Sequence, residues 1–392
     1  MKPIYLDYAS TTPMDARVVD AMHPFLRDRF GNPASVHGFG QSAREAVDAA
    51  REVLARAVGA RDPEEIVFTS GATEADNFAV IGAAYANEAR GRHMIISGVE
   101  HHAVLEPARF LESRGYALTL LPVDGAGRVD PEAVREAIRP DTILVSVMHG
   151  NNEIGTLEPI AEIGRITRER GVIFHCDAAQ SLGIVPIDVG ALGVDLLSMS
   201  AHKRYGPKGI GALYIRKGTP LVRFLHGGSH ERNRRAGTHN VPGIIGFAEA
   251  IRLALAVMDE EASRLRALRD RFMRGLLALD GVRLNGHPTE RLPGNVNVSF
   301  HGADSESLLL ALDLQGVAAS SGSACTSGSL EPSHVLSAIG LDPEVAAGTL
   351  RFSLGRWTTD EEIDRVLEIL PPIVESVRSA YPIDTLLNPL PS

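Results

Sequence analysis

Apolar and polar residues alternate along this chain in two rhythms. Short apolar runs rich in β-branched residues recur at 65–69, 93–97, 117–121, 142–147, 172–176, 195–199 and 211–215. Such runs have the length and composition of strands buried on both faces. Stretches with helical spacing lie between most of them, including 74–87, 131–138 and 159–170. This alternation predicts an α/β fold with a mostly parallel, seven-stranded sheet flanked by helices. Two helical stretches, 15–30 and 41–58, come first, separated by Gly31-Asn-Pro-Ala-Ser35. Beyond Pro242 the rhythm changes. A long helical stretch over 242–280 leads to strands at 295–300 and 349–353 and helices at 305–312 and 359–379, a smaller α+β unit. The expected division is a large domain over 1–256, including an N-terminal segment 1–14, and a small domain over 257–392.

The composition narrows the function classes. With 392 residues and 44% hydrophobic content the chain can bury a large core. A formal charge of −10, with only the short patch Arg232–Arg235 to offset it, argues against nucleic-acid binding. The start has no signal-peptide apolar region, no apolar stretch is long enough to span a membrane, and two cysteines make no disulfide framework. A soluble, cytoplasmic protein is expected.

Of the four lysines, Lys2 is terminal, Lys217 lies in a turn and Lys208 follows a proline. Lys203 alone follows an apolar run, in Ser198-Met-Ser-Ala-His-Lys203, beside Ser200 and His202. A lysine at a strand end among small polar donors suits a Schiff base to a phosphorylated aldehyde cofactor; a surface lysine is the alternative. Asp177 ends the strand-like run before it. A carboxylate there lies where open α/β sheets bind ligands and could keep a pyridine nitrogen protonated, or it could cap the residues that follow. Ser70-Gly-Ala-Thr73 opens a helix after a strand and reads as a phosphate cradle or as an ordinary capped turn. His101 could stack on a flat ring or shuttle a proton; the His101–His102 pair lacks metal-ligand spacing, and no metal is expected. Asn152 and Gln180, again after strands, offer amides to a phenolic oxygen or a carboxylate, or form turns. Cys325 sits among serines and glycines with nothing bulky to bury it, which favours a reactive thiol over a structural one. Arg351 could grip a carboxylate with two hydrogen bonds or form an ion pair.

Together these motifs resemble the cysteine desulfurases of the NifS/IscS-like group, in the class V aminotransferase family. The resemblance runs from Tyr5-Leu-Asp-Tyr-Ala-Ser-Thr-Thr-Pro13 to about Asp364. It includes Gly31–Ser35, Thr69–Glu74, His149-Gly-Asn-Asn-Glu-Ile-Gly155, Ser198–Lys203 and the Cys325 segment through Ser333. It implies a fold-type-I enzyme that uses pyridoxal 5'-phosphate (PLP) to convert L-cysteine to L-alanine, leaving sulfur on Cys325 as a persulfide. Lys203 would bond to the cofactor, Asp177 would meet its ring nitrogen, and His101 would stack and move protons. Asn152 and Gln180 would reach the ring oxygen, with Asn152 also near substrate, while Ala72, Thr73, Ser200 and His202 would hold the phosphate. Arg351 would bind the substrate carboxylate. Thr238 would reach the cofactor of a partner subunit, implying a homodimer. The sulfur acceptor would be a protein such as an iron–sulfur scaffold, although the end at Ser392 is shorter than the tail that docks scaffolds in the housekeeping branch. A selenocysteine lyase and a non-catalytic sulfur-relay scaffold are the rival readings.

Overall fold

The structure is a computed structural model that describes residues 3–321 and 333–380. Its centre is a seven-stranded sheet of β2 (Ile66–Thr69), β3 (His93–Ser97), β4 (Ala117–Leu121), β5 (Thr142–Ser146), β6 (Ile173–Asp177), β7 (Leu196–Ser200) and β8 (Gly211–Ile215), after a short β1 (Ile4–Tyr5). The order is β2-β8-β7-β6-β5-β3-β4. Every pairing is parallel except those of β8, which runs antiparallel to both neighbours. The expected alternation of strands and helices is therefore present, with one reversed strand. Six of these strands, β2, β3 and β5 to β8, are buried at every position, as strands covered on both faces require, whereas the edge strand β4 is partly exposed.

Two apolar layers cover the sheet. One face packs Phe174, Cys176, Leu197 and Met199 against Leu54, Phe247 and Ile251. The other packs Ile96, Leu144 and Leu196 against Phe78, Val80 and Leu105. Because the strands β2, β3, β5, β6 and β7 run the same way, the loops that follow them open on one edge of the sheet.

The helical stretch expected over 242–280 is two helices, Val241–Ala256 and Met258–Leu277, bent by 71° at the break. Val257 leaves the helical region there, with φ −129° and ψ 12°, so the apolar faces of the two helices serve different cores. The second core gathers Phe272, Phe300, Leu308, Phe352 and Val366 under an antiparallel sheet of order β12-β13-β10-β9. Its strands are β9 (Val282–Leu284), β10 (Asn295–Phe300), β12 (Ser320–Ser321) and β13 (Thr349–Ser353), with β11 (Val317–Ala318) outside it. The N-terminal residues join this second unit: β1 pairs with β11, Asp7 bridges to Ser353, and Ile4 and Leu6 enter the second core. No single helix among the described residues is long and apolar enough to cross a membrane.

Candidate active site

The loops that follow β2, β3, β5 and β7, with the end of β6, contribute to one cavity of about 630 Å³, a volume suited to a small cofactor with substrate. After β2 come Ser70–Glu74; after β3, His101; after β5, Met148, Gly150 and Asn152; at the end of β6, Asp177; from β7 onward, Ser200, His202 and Lys203. Arg351 on β13 and Ala9–Thr11 of the N-terminal segment close the other side. Sequence-distant motifs meet because parallel strands end at one edge.

Lys203 lies in a short 3₁₀ turn, His202–Arg204, directly after β7. Its Nζ donates to the carbonyl oxygens of Ala9 at 2.5 Å and Ser10 at 2.7 Å. Lys208 also borders the cavity but is exposed, as is Lys217. Asp177 is 6% exposed, and its Oδ1 accepts the Ala179 N–H at 2.8 Å. Burial, reinforced by the nearby Asp76 carboxylate, pushes its carboxyl up to about 7. Burial likewise raises Asp76 to about 7 and Glu100 to about 8. A floor of buried acids, of which Asp76 meets no hydrogen-bond donor at either oxygen, is chemically matched to a cation such as a protonated pyridine nitrogen.

Anion donors gather at another part of the cavity. Helix Ala72–Ala86 starts there at Gly71 with no side-chain cap, leaving its first N–H groups available. Ser200 ends β7, and Gly211 opposite it must be glycine, because a Cβ there would lie 2.6 Å from the Gly71 carbonyl carbon. His202 holds the N-terminal segment, with Nδ1 3.1 Å from Thr11 Oγ1; burial, then Lys203, lowers its imidazole to about 4. Ala72, Thr73, Ser200 and His202 together could hold a phosphate.

His101 caps helix His102–Glu112, its Nδ1 accepting the Ala103 N–H at 3.1 Å. Burial, then the charge of Lys203, lowers it to about 4, so the imidazole is neutral near pH 7 and could accept a proton. Gln180 Nε2 donates to the Ala9 carbonyl at 3.0 Å, which leaves its amide oxygen for other partners. Arg351 is 3% exposed; its Nη1 donates to the Asn152 carbonyl at 3.0 Å and its Nη2 to Ser10 Oγ at 2.7 Å.

All the residues singled out from the sequence line this cavity except two. Thr238 is exposed and does not border it. Cys325 lies outside the described residues. Reading motifs missed Asp7, Ala9 and Ser10, which hold Arg351 and Lys203, although the stretch Tyr5–Pro13 carried part of the resemblance. It also gave no role to Asp76, four residues past Ala72, because beside Thr73, Glu74 and Asn77 in the first turns of its helix nothing local sets that carboxylate apart. Among the described residues no group of three or more His, Cys, Asp or Glu is placed to hold a metal.

Residues 4–366 match the family described as Aminotransferase class-V. A protein named cysteine desulfurase IscS from Dictyoglomus turgidum is 54% identical over 382 residues, covering 97% of each chain. One of the same name from Methanosarcina thermophila is 52% identical, covering 97% of this chain and 94% of that one. Among solved structures, a NifS-like protein matches with a TM-score of 0.90 at 38% identity, covering 95% of this chain and all (100%) of that one. A structure described as SspA in complex with cysteine matches with a TM-score of 0.80 at 37% identity, covering 91% and 100%.

Proposed function

The chain belongs to the class-V aminotransferase family, and from that premise we infer that it is a cysteine desulfurase. In this reading L-cysteine becomes L-alanine with PLP as the cofactor, and the sulfur passes to Cys325 as a persulfide. The observation that carries it is the convergence of Lys203, Asp177, His101 and Arg351 on one cavity. Near-full-length similarity at 54% identity to a protein named cysteine desulfurase supports the choice of substrate.

Bound PLP would supply an electron sink for the charge left when the substrate α-proton departs. The residues provide the rest. Asp177, on the acid floor, keeps a proton on the ring nitrogen. Ala72, Thr73, Ser200 and His202 hold the phosphate, while Asn152 and Gln180 orient the ring through its oxygen. Lys203, steered by the Ala9 and Ser10 carbonyls, would be the covalent anchor. His101, neutral near pH 7, would stack on the ring and move protons. Arg351 binds the substrate carboxylate. The Cys325 thiolate then attacks the substrate sulfur: a sulfur–sulfur bond forms as the carbon–sulfur bond breaks, and the electron pair stays on the carbon that becomes the alanine methyl. Thr238, exposed here, is assigned to the cofactor of a second copy, making the active unit a homodimer. The persulfide is passed on to an acceptor protein such as an iron–sulfur scaffold.

The test is turnover of L-cysteine by the full-length protein supplied with PLP and an excess of a dithiol, which reduces the persulfide and releases its outer sulfur as sulfide, measuring alanine and sulfide together. Equimolar products that vanish in Lys203→Ala are expected. Borohydride reduction and peptide mapping should place the cofactor on Lys203; finding it on Lys208 would overturn the assignment. Turnover of selenocysteine but not cysteine would make the protein a selenocysteine lyase instead.

A further inference from the structure

Behind Asp177 stands a second carboxylate that none of these roles uses. Asp76 is 1% exposed on helix Ala72–Ala86 and borders the same cavity. His175 and Asp177, two residues apart on β6, point to the same face of the sheet, the face this helix covers. His175 Nε2 lies 3.5 Å from Asp76 Oδ1. That imidazole is already engaged on both sides, Nδ1 with Ser146 Oγ at 2.8 Å and Nε2 with Ser198 Oγ at 2.9 Å. Ser198 is near enough to lower the Asp76 carboxyl slightly, but its hydroxyl is engaged with His175; neither Asp76 oxygen has a donor in hydrogen-bonding geometry, and no lysine or arginine among the described residues pairs with it.

Several titratable groups lie near Asp76, and none of them supplies a positive charge at pH 7. On β6 they are His175, Asp177 and the Cys176 thiol; after β3 comes Glu100. Burial holds His175 down to about 4, so it is neutral at pH 7 and offers Asp76 no charge. Lys203 is the cation that acts on Asp177. A buried carboxylate with no donor destabilises a fold, and such a group persists where its charge has a task. The positive group that would relieve it is a protonated ring nitrogen against Asp177.

Resting on the PLP reading above, we propose that Asp76 is an electrostatic positioning residue: a second buried carboxylate behind Asp177 and beside His175, whose charge strengthens the hold on a protonated ring nitrogen. It touches neither cofactor nor substrate and acts through the field it adds to Asp177. The arrangement trades stability of the cofactor-free protein for cofactor affinity. Both sides of that exchange are measurable.

Full-length wild type and Asp76→Asn, depleted of PLP, are compared by equilibrium dialysis with PLP and by thermal melting. At about pH 8 the variant should bind PLP roughly tenfold more weakly, the equivalent of one unit in a pKa. That gap should narrow at about pH 5.5, where wild-type Asp76 is increasingly protonated. Without PLP the variant should melt higher than wild type at about pH 8, and the gap should shrink steadily as pH falls toward 3.8. The sign follows from proton linkage: folded Asp76 keeps until about 7 a proton that the unfolded chain releases near 3.8, so stability falls as pH rises through that window. Asp76→Thr, neutral but different in shape, should reproduce both shifts and stands in if the Asn variant does not fold. Wild-type PLP affinity in either variant overturns the proposal. Weaker binding together with a lower melting point at every pH also overturns it, because that is the signature of packing. Failure of wild type itself to bind PLP would instead sink the functional reading beneath.

Discussion

Arg351 and Asp7, 344 positions apart in the chain, close a salt bridge of 2.9 Å between Nη2 and Oδ1 at the wall of the cavity. The strand pairing of β1 with β11 and the Asp7–Ser353 bridge bring the N-terminal segment there. The same segment holds Lys203 through the Ala9 and Ser10 carbonyls. One stretch of chain thus positions the proposed covalent anchor and the proposed carboxylate receptor, and an incoming substrate carboxylate would compete with Asp7 for the guanidinium.

Arg351→Ala should raise the apparent KM for L-cysteine roughly ten- to a hundredfold, since a hydrogen bond to a charged group is worth about 1.5–3 kcal/mol. PLP affinity should change much less. Steady-state kinetics beside a PLP titration separates the two, and an unchanged KM would remove Arg351 from substrate binding.

Cys325→Ala should bind PLP with the wild-type absorbance spectrum, because no cofactor contact is assigned to this residue. Adding L-cysteine should still perturb that spectrum. Sulfide and alanine should fall to background, and alkylation should trap no persulfide. Serine should fail as well, since persulfide chemistry needs a thiolate nucleophile. Near-normal desulfuration by the alanine variant would make the thiol incidental.

His101 should stay neutral across the physiological range. Burial, then Lys203, holds it at about 4 rather than 6.5, so its ring gains a proton only as pH falls toward that value. Histidine NMR of the PLP-free protein, assigned by difference with His101→Gln, should show no titration of this ring between about pH 6 and 8. A midpoint near 6.5 would mean that neither burial nor Lys203 depresses this ring in the protein.

Glu231→Gln should destabilise the fold by about 3–5 kcal/mol, the usual consequence of stripping one partner from a buried pair. Arg51 donates to Glu231 through Nη1 at 2.7 Å and Nη2 at 2.8 Å, and His239 Nε2 lies 2.5 Å away. Burial alone would raise the Glu231 carboxyl; Arg51 and His239 outweigh it and hold it at about 2. The pair's contribution is therefore complete above the unfolded value of 4.5 and lost as pH falls through about 2. Chemical denaturation of Glu231→Gln and of the apolar double variant Arg51→Met/Glu231→Leu checks this: the double variant should recover most of the loss.

The sequence by itself determined the strands and the loops that carry chemistry. The runs ending at Ser97, Asp177 and Ser200 are continuous and apolar because both faces of a parallel sheet are covered, and that signal is local. Gly71, Asp177 and Lys203 were legible for the same reason, since each stands just past or at such a run. Tertiary structure alone decided what lies between elements. The reversal of β8, the 71° bend at Val257, the reach of Asp7 to Arg351 and the placement of Asp76 behind Asp177 leave no periodic trace. Each depends on which face of one element another covers, and chain spacing does not encode a contact made between residues 344 positions apart.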